Sequence, residues 1–314
     1  MGMMIDGAWS TTGYATDGDG RFRRDETTFH DWIRADGSSP HPAAAGRYHL
    51  YVSWACPWAH RTLIVRKLKG LERAIGVSVV DSFMGEDGWR FTDDHPDGLF
   101  GASFLREVYA KARADYTGRV TVPVLWDREL GTIVNNESRE IMRMLDVELD
   151  SVAESKTGFY PEALRTRIDE TIGAIYAPIN NGVYRAGFAR TQRAYDEAVT
   201  TLFEALDQWD AVLSRQRYLC GNVVTEADWC LFTTLLRFDV VYHTHFKCNV
   251  RRIADYPNLS GYLRDLYQVP GVAQTCNFDH IRAHYYRSHE TINPSRIVAR
   301  GPDLELLAPH GRVR

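Results

Sequence analysis

The chain has 314 residues, 44% of them apolar, and its 37 Lys plus Arg against 41 Asp plus Glu leave a net charge of −4. That length suggests about two domains at the usual ~100–200 residues each, with apolar content enough for a full core, and the lack of a basic surplus argues against nucleic acid as a partner. No apolar run approaches the ~18 residues a membrane span needs, and the opening MGMMIDGAW has neither a signal-peptide pattern nor, with Asp6 where Ser or Thr is required, a myristoylation site, so the expectation is a soluble, cytoplasmic protein.

Residues 1–46 are rich in Gly, Asp, Arg and Ser with few apolar repeats, and read as an extension lying on the surface of something else. From there the pattern sharpens. RYHLYVS (47–53) reads as a strand, and 57–69 as a helix with Pro at its first position, where no N–H is needed. GVSVVD (76–81) is a second strand, followed by a long insertion with a possible helix at 102–114. VTVPVLWD (120–127) and GTIVN (131–135) read as a strand pair, and a helix opens near Glu137 and runs to about Glu148. This order is that of a thioredoxin-like α/β domain. Pro123 falls inside an apolar strand, where Pro is disfavoured, so the readings are an edge position or a cis Val122–Pro123 bond, the second agreeing with the strand order.

From about 160 the pattern turns helical. In 191–216 apolar residues fall at 195, 198, 199, 202, 203, 206, 209, 212 and 213, the spacing of a helix with one buried face. TEADWCLFTTLLRF (225–238) opens with Thr225 and, three residues on, Asp228, close to a capping box. A further helix lies in YPNLSGYLRDLYQVPGV before Pro270, and the last ~25 residues look irregular. The expected organisation is an extension (1–46), a thioredoxin-like domain (47–150), an all-helical domain (160–290) and a C-terminal tail (291–314).

The five cysteines are Cys56, Cys220, Cys230, Cys248 and Cys276, an odd number with no C-x-x-C pair, so neither a disulfide scaffold nor a zinc ribbon is supported. HTHFKC (243–248) could resemble a metal cluster, but two His two residues apart on a helix do not share a face, and no metal is expected. Cys230, inside an apolar helix, reads as buried. Cys56 stands between a strand and a helix N-terminus, where the positive end of the helix dipole favours thiolate over thiol. The alternative is an inert small residue at a helix start. Cys56-Pro57-Trp58-Ala59 lacks the second cysteine of a dithiol motif, so a mixed disulfide formed there needs a thiol from outside. In a cytoplasm glutathione is the natural supplier.

The stretches WACPWAHR (54–61), GWRF (88–91), GRVTVPVLWD (118–127), NNESREI (135–141), NNGVYRAGFA (180–189), RFDVVYHTHFKCN (237–249) and HYYRSHETINPSRIVARGP (284–302) together resemble the Xi class of the glutathione transferase superfamily, the glutathionyl-hydroquinone reductases. They span the chain in family order, departing at Val241, His243–Thr244 and Ala299. The resemblance implies a thioredoxin-like domain followed by an all-α glutathione-transferase domain. It also implies glutathione-dependent reduction of glutathionyl-hydroquinones through a Cys56–glutathione mixed disulfide that a second glutathione resolves.

By the same resemblance Glu137 and Ser138 hold the γ-glutamyl end of glutathione, Val122 pairs through its backbone with the cysteinyl part, and Trp89 and Arg119 contact it. Tyr184, Tyr242 and Tyr285 line the hydroquinone pocket and assist protonation of the leaving carbon. Without the resemblance Glu-Ser is a helix cap, Arg119 a solvated charge, Trp89 a packing residue, and the three tyrosines are among 16 that pack structurally. It further implies a homodimer through the helical domain. Three other functions compete: a broader thiol transferase acting on dehydroascorbate or glutathionylated protein, a conjugating transferase, and a non-catalytic protein of the same fold.

Overall fold

The computed structural model describes residues 2–13 and 15–312; Met1, Tyr14, Val313 and Arg314, which the extension and tail readings include, lie outside the described residues. The chain divides into two compact units. The first comprises Met1–Tyr14, Arg24–Gly158 and Thr275–His284, and the second Ala15–Arg23, Phe159–Gln274 and Tyr285–Arg314.

The N-terminal segment is more ordered than its composition suggests. β1 (Met3–Ile5) and β2 (Ala8–Ser10) form an antiparallel hairpin across Asp6-Gly7. Both turn residues have positive φ, 48° and 78°, as a two-residue type I′ turn requires. Further on, β3 (Ile33–Arg34) and β4 (His41–Pro42) pair in parallel. Phe29 and Ile33 are buried, so this part of the segment joins a core instead of lying over one.

The central sheet runs in the order β6-β5-β8-β9. β5 (Tyr48–Val52) is buried at every residue, as a strand covered on both faces must be. α1 (Pro57–Leu68) follows, and β6 (Ile75–Val79) returns parallel to β5. α2 (Leu105–Ala112) lies in the insertion, and β7 (Gly118–Arg119) pairs with β1 rather than joining the central sheet. β8 (Val124–Asp127) is antiparallel to β5 and to β9 (Thr132–Asn135). The sequence extends β8 back to residue 120. It begins instead just after Pro123, which has no N–H for the ladder, and the Val122–Pro123 bond is cis. α3 (Ser138–Arg143) packs on α1 and continues as a π turn to Glu148.

Fully buried Asp127 ties the segment before β5 to this sheet. It accepts from His41 Nδ1 at 2.8 Å and from Arg47 Nε and Nη2 at 2.9 and 2.6 Å. Burial opposes the charge, but these partners hold the carboxyl below the usual carboxylate range.

The second unit is helical: α4 (Arg165–Ile175), α5 (Gly182–Gly187), α6 (Gln192–Leu213), α7 (Glu226–Arg237), the short α8 (His243–His245) and α9 (Leu259–Tyr267). α10 (Phe278–Ser288) is divided between the units after His284. α7 is buried at all twelve residues, so the other helices are organised around it. The Thr225/Asp228 capping box closes its N-terminus, and Asp228 also accepts from the Tyr262 hydroxyl at 2.8 Å. π turns interrupt the helical run at Tyr176–Asn180 and Phe238–Tyr242. No helix among the described residues is long and apolar enough to cross a membrane.

Candidate active site

β5 ends at Val52, and the chain turns through Ser53, Trp54 and Ala55 to Cys56, the N-cap of α1. The Cys56 N–H bonds to the Ser53 carbonyl at 3.1 Å, and the Cys56 carbonyl accepts from His60 N–H at 3.0 Å, starting the helical ladder. Pro57 occupies the first helical position, and the first turn carries no acidic residue. The dipole of α1 therefore acts on the sulfur without a competing negative charge on that turn. The half-buried Cys56 thiol points its S–H at the Val122 carbonyl, 3.6 Å away. The residue before the cis proline and the cysteine thus meet, although 66 positions separate them.

Ala59, where a dithiol motif would carry its second cysteine, is fully buried. Cys220, Cys230 and Cys248 are buried too, and burial pushes the Cys220 and Cys248 thiols up.

Glu137 is the N-cap of α3; its Oε1 accepts from Arg139 N–H at 3.1 Å and from the Ser138 hydroxyl at 3.3 Å. The capping role that the local sequence suggests is therefore present. Arg61 of α1, which the sequence does not single out beyond its place in WACPWAHR, is 2% exposed and reaches within 3.5 Å of the Ser138 hydroxyl. One turn of α1 thus bears the thiol, and the next a buried cation beside the start of α3.

Trp89 is buried and stacks on His284, with ring centroids 4.8 Å apart and planes 23° from parallel. His284 Nδ1 lies 3.0 Å from the Ser82 carbonyl. Arg119 bonds to the N-terminal segment: Nε to Asp25 at 2.7 Å, and its terminal nitrogens to the carbonyls of Gly2, Thr12 and Gly13. Its side chain is 9% exposed, so it is no solvated loop charge.

In the second unit Tyr184 of α5, Tyr242 at the end of a π turn and Tyr285 of α10 meet through their hydroxyls. Tyr285 Oη is 2.6 Å from Tyr184 Oη and 2.9 Å from Tyr242 Oη. Phe188 and Phe246 pack around them. Burial, then the neighbouring Tyr184 phenol, raise the Tyr242 and Tyr285 hydroxyls well above their ordinary range, with the buried Arg237 guanidinium opposing. Both are neutral phenols near pH 7, able to donate a proton and poor at losing one for good. Burial of Arg237, the last residue of α7, and its action on these phenols were not foreseen from the sequence, where an arginine in the last turn of a helix reads as an ordinary partner of the helix dipole.

Among the described residues no group of three or more His, Cys, Asp and Glu could hold a metal ion. His245 of the HTHFKC stretch pairs instead with His289, Nε2 to Nδ1 at 3.1 Å.

A thioredoxin-like unit with a helix-capping cysteine, joined to a helical unit, is the architecture of a glutathione transferase. Residues 55–148 match the family described as glutathione S-transferase, N-terminal domain, and residues 192–265 that described as glutathione S-transferase, C-terminal domain. Glutathionyl-hydroquinone reductase YqjG of Escherichia coli K12 is 55% identical over 99% of this chain and 98% of its own length. Its glutathione-bound structure superposes with a TM-score of 0.90, covering 99% of both chains. Glutathionyl-hydroquinone reductase PcpF of Sphingobium chlorophenolicum is 49% identical over 96% of each chain. The Xi class transferase of Natrialba magadii is 56% identical, with a TM-score of 0.95 over 99% of this chain and 97% of that one. The chain belongs to the glutathione transferase superfamily, in its Xi class.

Proposed function

We propose that the chain is a glutathionyl-hydroquinone reductase: a glutathionyl-hydroquinone and glutathione give a hydroquinone and glutathione disulfide. The observation that carries this is Cys56 at the N-cap of α1, with a buried alanine where a second thiol would stand. Two relatives of nearly equal length bearing that activity in their names support it.

In the first half-reaction the Cys56 thiolate attacks the sulfur of the substrate's glutathionyl thioether. The sulfur–aryl bond breaks, the aryl carbon takes a proton, and Cys56 becomes a mixed disulfide with glutathione. The substrate gains the two electrons that the two sulfurs lose. In the second, a glutathione thiolate attacks the mixed disulfide and releases glutathione disulfide and Cys56. A site with an internal resolving thiol would close on itself and expel the first glutathione.

For glutathione we assign Glu137 to the ammonium of the γ-glutamyl end, and Ser138 with the start of α3 to its α-carboxylate. The Val122 backbone takes the cysteinyl part and Trp89 packs against the ligand. Arg119 serves the same site through the N-terminal segment that it holds. Tyr184, Tyr242 and Tyr285 receive the hydroquinone and supply the proton for the leaving carbon. Tyr184, 9% exposed against 0% and 1% for the others, is the donor and the other two refill it.

The protein works in the cytoplasm, where its free cysteines stay reduced. Two copies pair through the helical domain, as the family does, and light scattering at twice the chain mass checks this. The reaction itself is tested by comparing turnover of a glutathionyl-hydroquinone with that of dehydroascorbate and a glutathionylated peptide. A strong preference for the first is expected; equal rates would make the protein a general thiol transferase.

A further inference from the structure

Trp89 is 7% exposed, so a ligand can reach little more than an edge of its indole, and the plane of the ring decides what that edge offers. The backbone around it is well tied. In the turn before it, the Glu86 carbonyl accepts from the Trp9 indole N–H at 3.1 Å. The Trp89 carbonyl accepts from Leu105 N–H at 3.0 Å, and the Arg90 carbonyl from Asp81 N–H at 2.9 Å. None of these bonds sets the indole plane. His284 of α10 does act on the ring, stacked at 4.8 Å and 23° from parallel. Its own plane is anchored. The Ser82 carbonyl can only accept, so His284 Nδ1, 3.0 Å away, carries the proton and donates it. Ser82 follows Asp81, whose carboxylate accepts from Phe83 N–H at 2.7 Å and from Arg90 Nη2 at 3.1 Å. Asp81 and Arg90 thus tie the residue that anchors His284 to the residue after Trp89, and the stacked rings close the circuit. All of these residues belong to the first unit.

We propose that His284 is the positioning residue for Trp89 in the glutathione site: anchored on the Ser82 carbonyl, it fixes the indole plane before the ligand arrives. The proposal rests on the reading above that places Trp89 against glutathione. A ring already held in its bound orientation loses no rotamer freedom when the ligand docks, and that saving stabilises the complex. It leaves the thiol exchange at Cys56 untouched, because His284 takes no part in the transfer of the proton or of the thiol. The effect of His284 therefore belongs in the glutathione KM and not in kcat.

The test is steady-state turnover of a glutathionyl-hydroquinone by the full chain with glutathione varied. His284→Ala should raise the glutathione KM about fivefold, the scale of one lost aromatic pair, with kcat held within about twofold. His284→Phe, which keeps a flat ring on the indole, should return KM to within about twofold of the parent. In a Trp89→Ala background His284→Ala should change KM no further, because it acts through that ring. An unchanged KM in His284→Ala, a fall in kcat alone, a Phe variant as weak as the Ala one, or a full further effect in the Trp89→Ala background overturns the proposal. If His284→Ala does not fold, His284→Gln, with a donor but no ring, takes its place with the same expectations. Trp89→Ala alone separates the two readings. If it leaves KM unchanged, the placement of Trp89 against glutathione fails and the role of His284 with it. If it raises KM while His284→Ala does not, only the role of His284 fails.

Discussion

Cys56 combines three local circumstances: a helix N-terminus, a first turn without acid, and a thiol aimed at the Val122 carbonyl. Each follows from residues within one turn or from the strand laid opposite. Cys56→Ala is expected to lower hydroquinone reduction by a thousandfold or more, on the order of losses seen when a nucleophile is removed, while the circular dichroism spectrum stays unchanged. The phenol cluster makes a different prediction. Tyr184→Phe should cost roughly a hundredfold in turnover, the scale of a lost general acid. In the same variant Cys56 should still take up glutathione from glutathione disulfide, because thiol–disulfide exchange needs no proton on carbon. A variant that loses both steps would assign Tyr184 to folding or glutathione binding instead.

At the scale of elements, the N-terminal segment is held at two points whose strengths can be measured. Gly7 in the β1–β2 turn has φ of 78°, and a Cβ there would lie 2.2 Å from the Ala114 carbonyl oxygen. Gly7→Ala combines strain with a clash and should destabilise the protein by about 1–3 kcal/mol in urea unfolding, whereas Gly37→Ala, with similar φ and open space, should cost less. The second point is the buried Asp127 with His41 and Arg47. Asp127→Ala leaves the largely buried Arg47 guanidinium with only the exposed Glu129 carboxylate, at 2.9 Å, and should cost roughly 3 kcal/mol, the low end for breaking a buried pair. The depressed carboxyl contributes stability above the ~3.9 of an unfolded Asp, and that contribution disappears as pH falls through the lower folded value. α1 and α3 form a third pairing, and it serves chemistry: Arg61 on one and Ser138 on the other put polar groups at the junction of two helix starts.

Across the whole molecule, each unit buries a neutral histidine. Desolvation brings His49 in the first and His245 in the second down to about 4. The unfolded chain protonates both near 6.5. Between these values the unfolded state binds more protons, so stability rises with pH and is lost progressively as pH falls from about 6.5 to 4. Each site contributes on the order of 3 kcal/mol to that loss. Urea midpoints should therefore drop between pH 7 and pH 5, and His49→Gln with His245→Gln should flatten the curve. An unchanged slope in the double variant would place the acid sensitivity elsewhere.

The central strands, the helix behind Cys56, the cis bond before Pro123 and the amphipathic α6 were legible in the sequence because each rests on local periodicity or a single residue's chemistry. So were the class and the reaction, since seven motifs recur in family order. The β1–β2 hairpin was missed although Asp6-Gly7 between two short apolar runs is its signal; the segment's polar composition outweighed it. What local pattern could not supply was convergence. Three phenols up to 101 residues apart share hydrogen bonds, Arg119 clasps carbonyls more than 100 positions away, and Cys276 reaches a histidine 216 positions before it. Hydrophobic periodicity determines which face of an element is buried. Only the packing of those faces against one another determines which polar groups meet inside, because a buried donor or acceptor takes whatever partner the tertiary fold brings within about 3 Å.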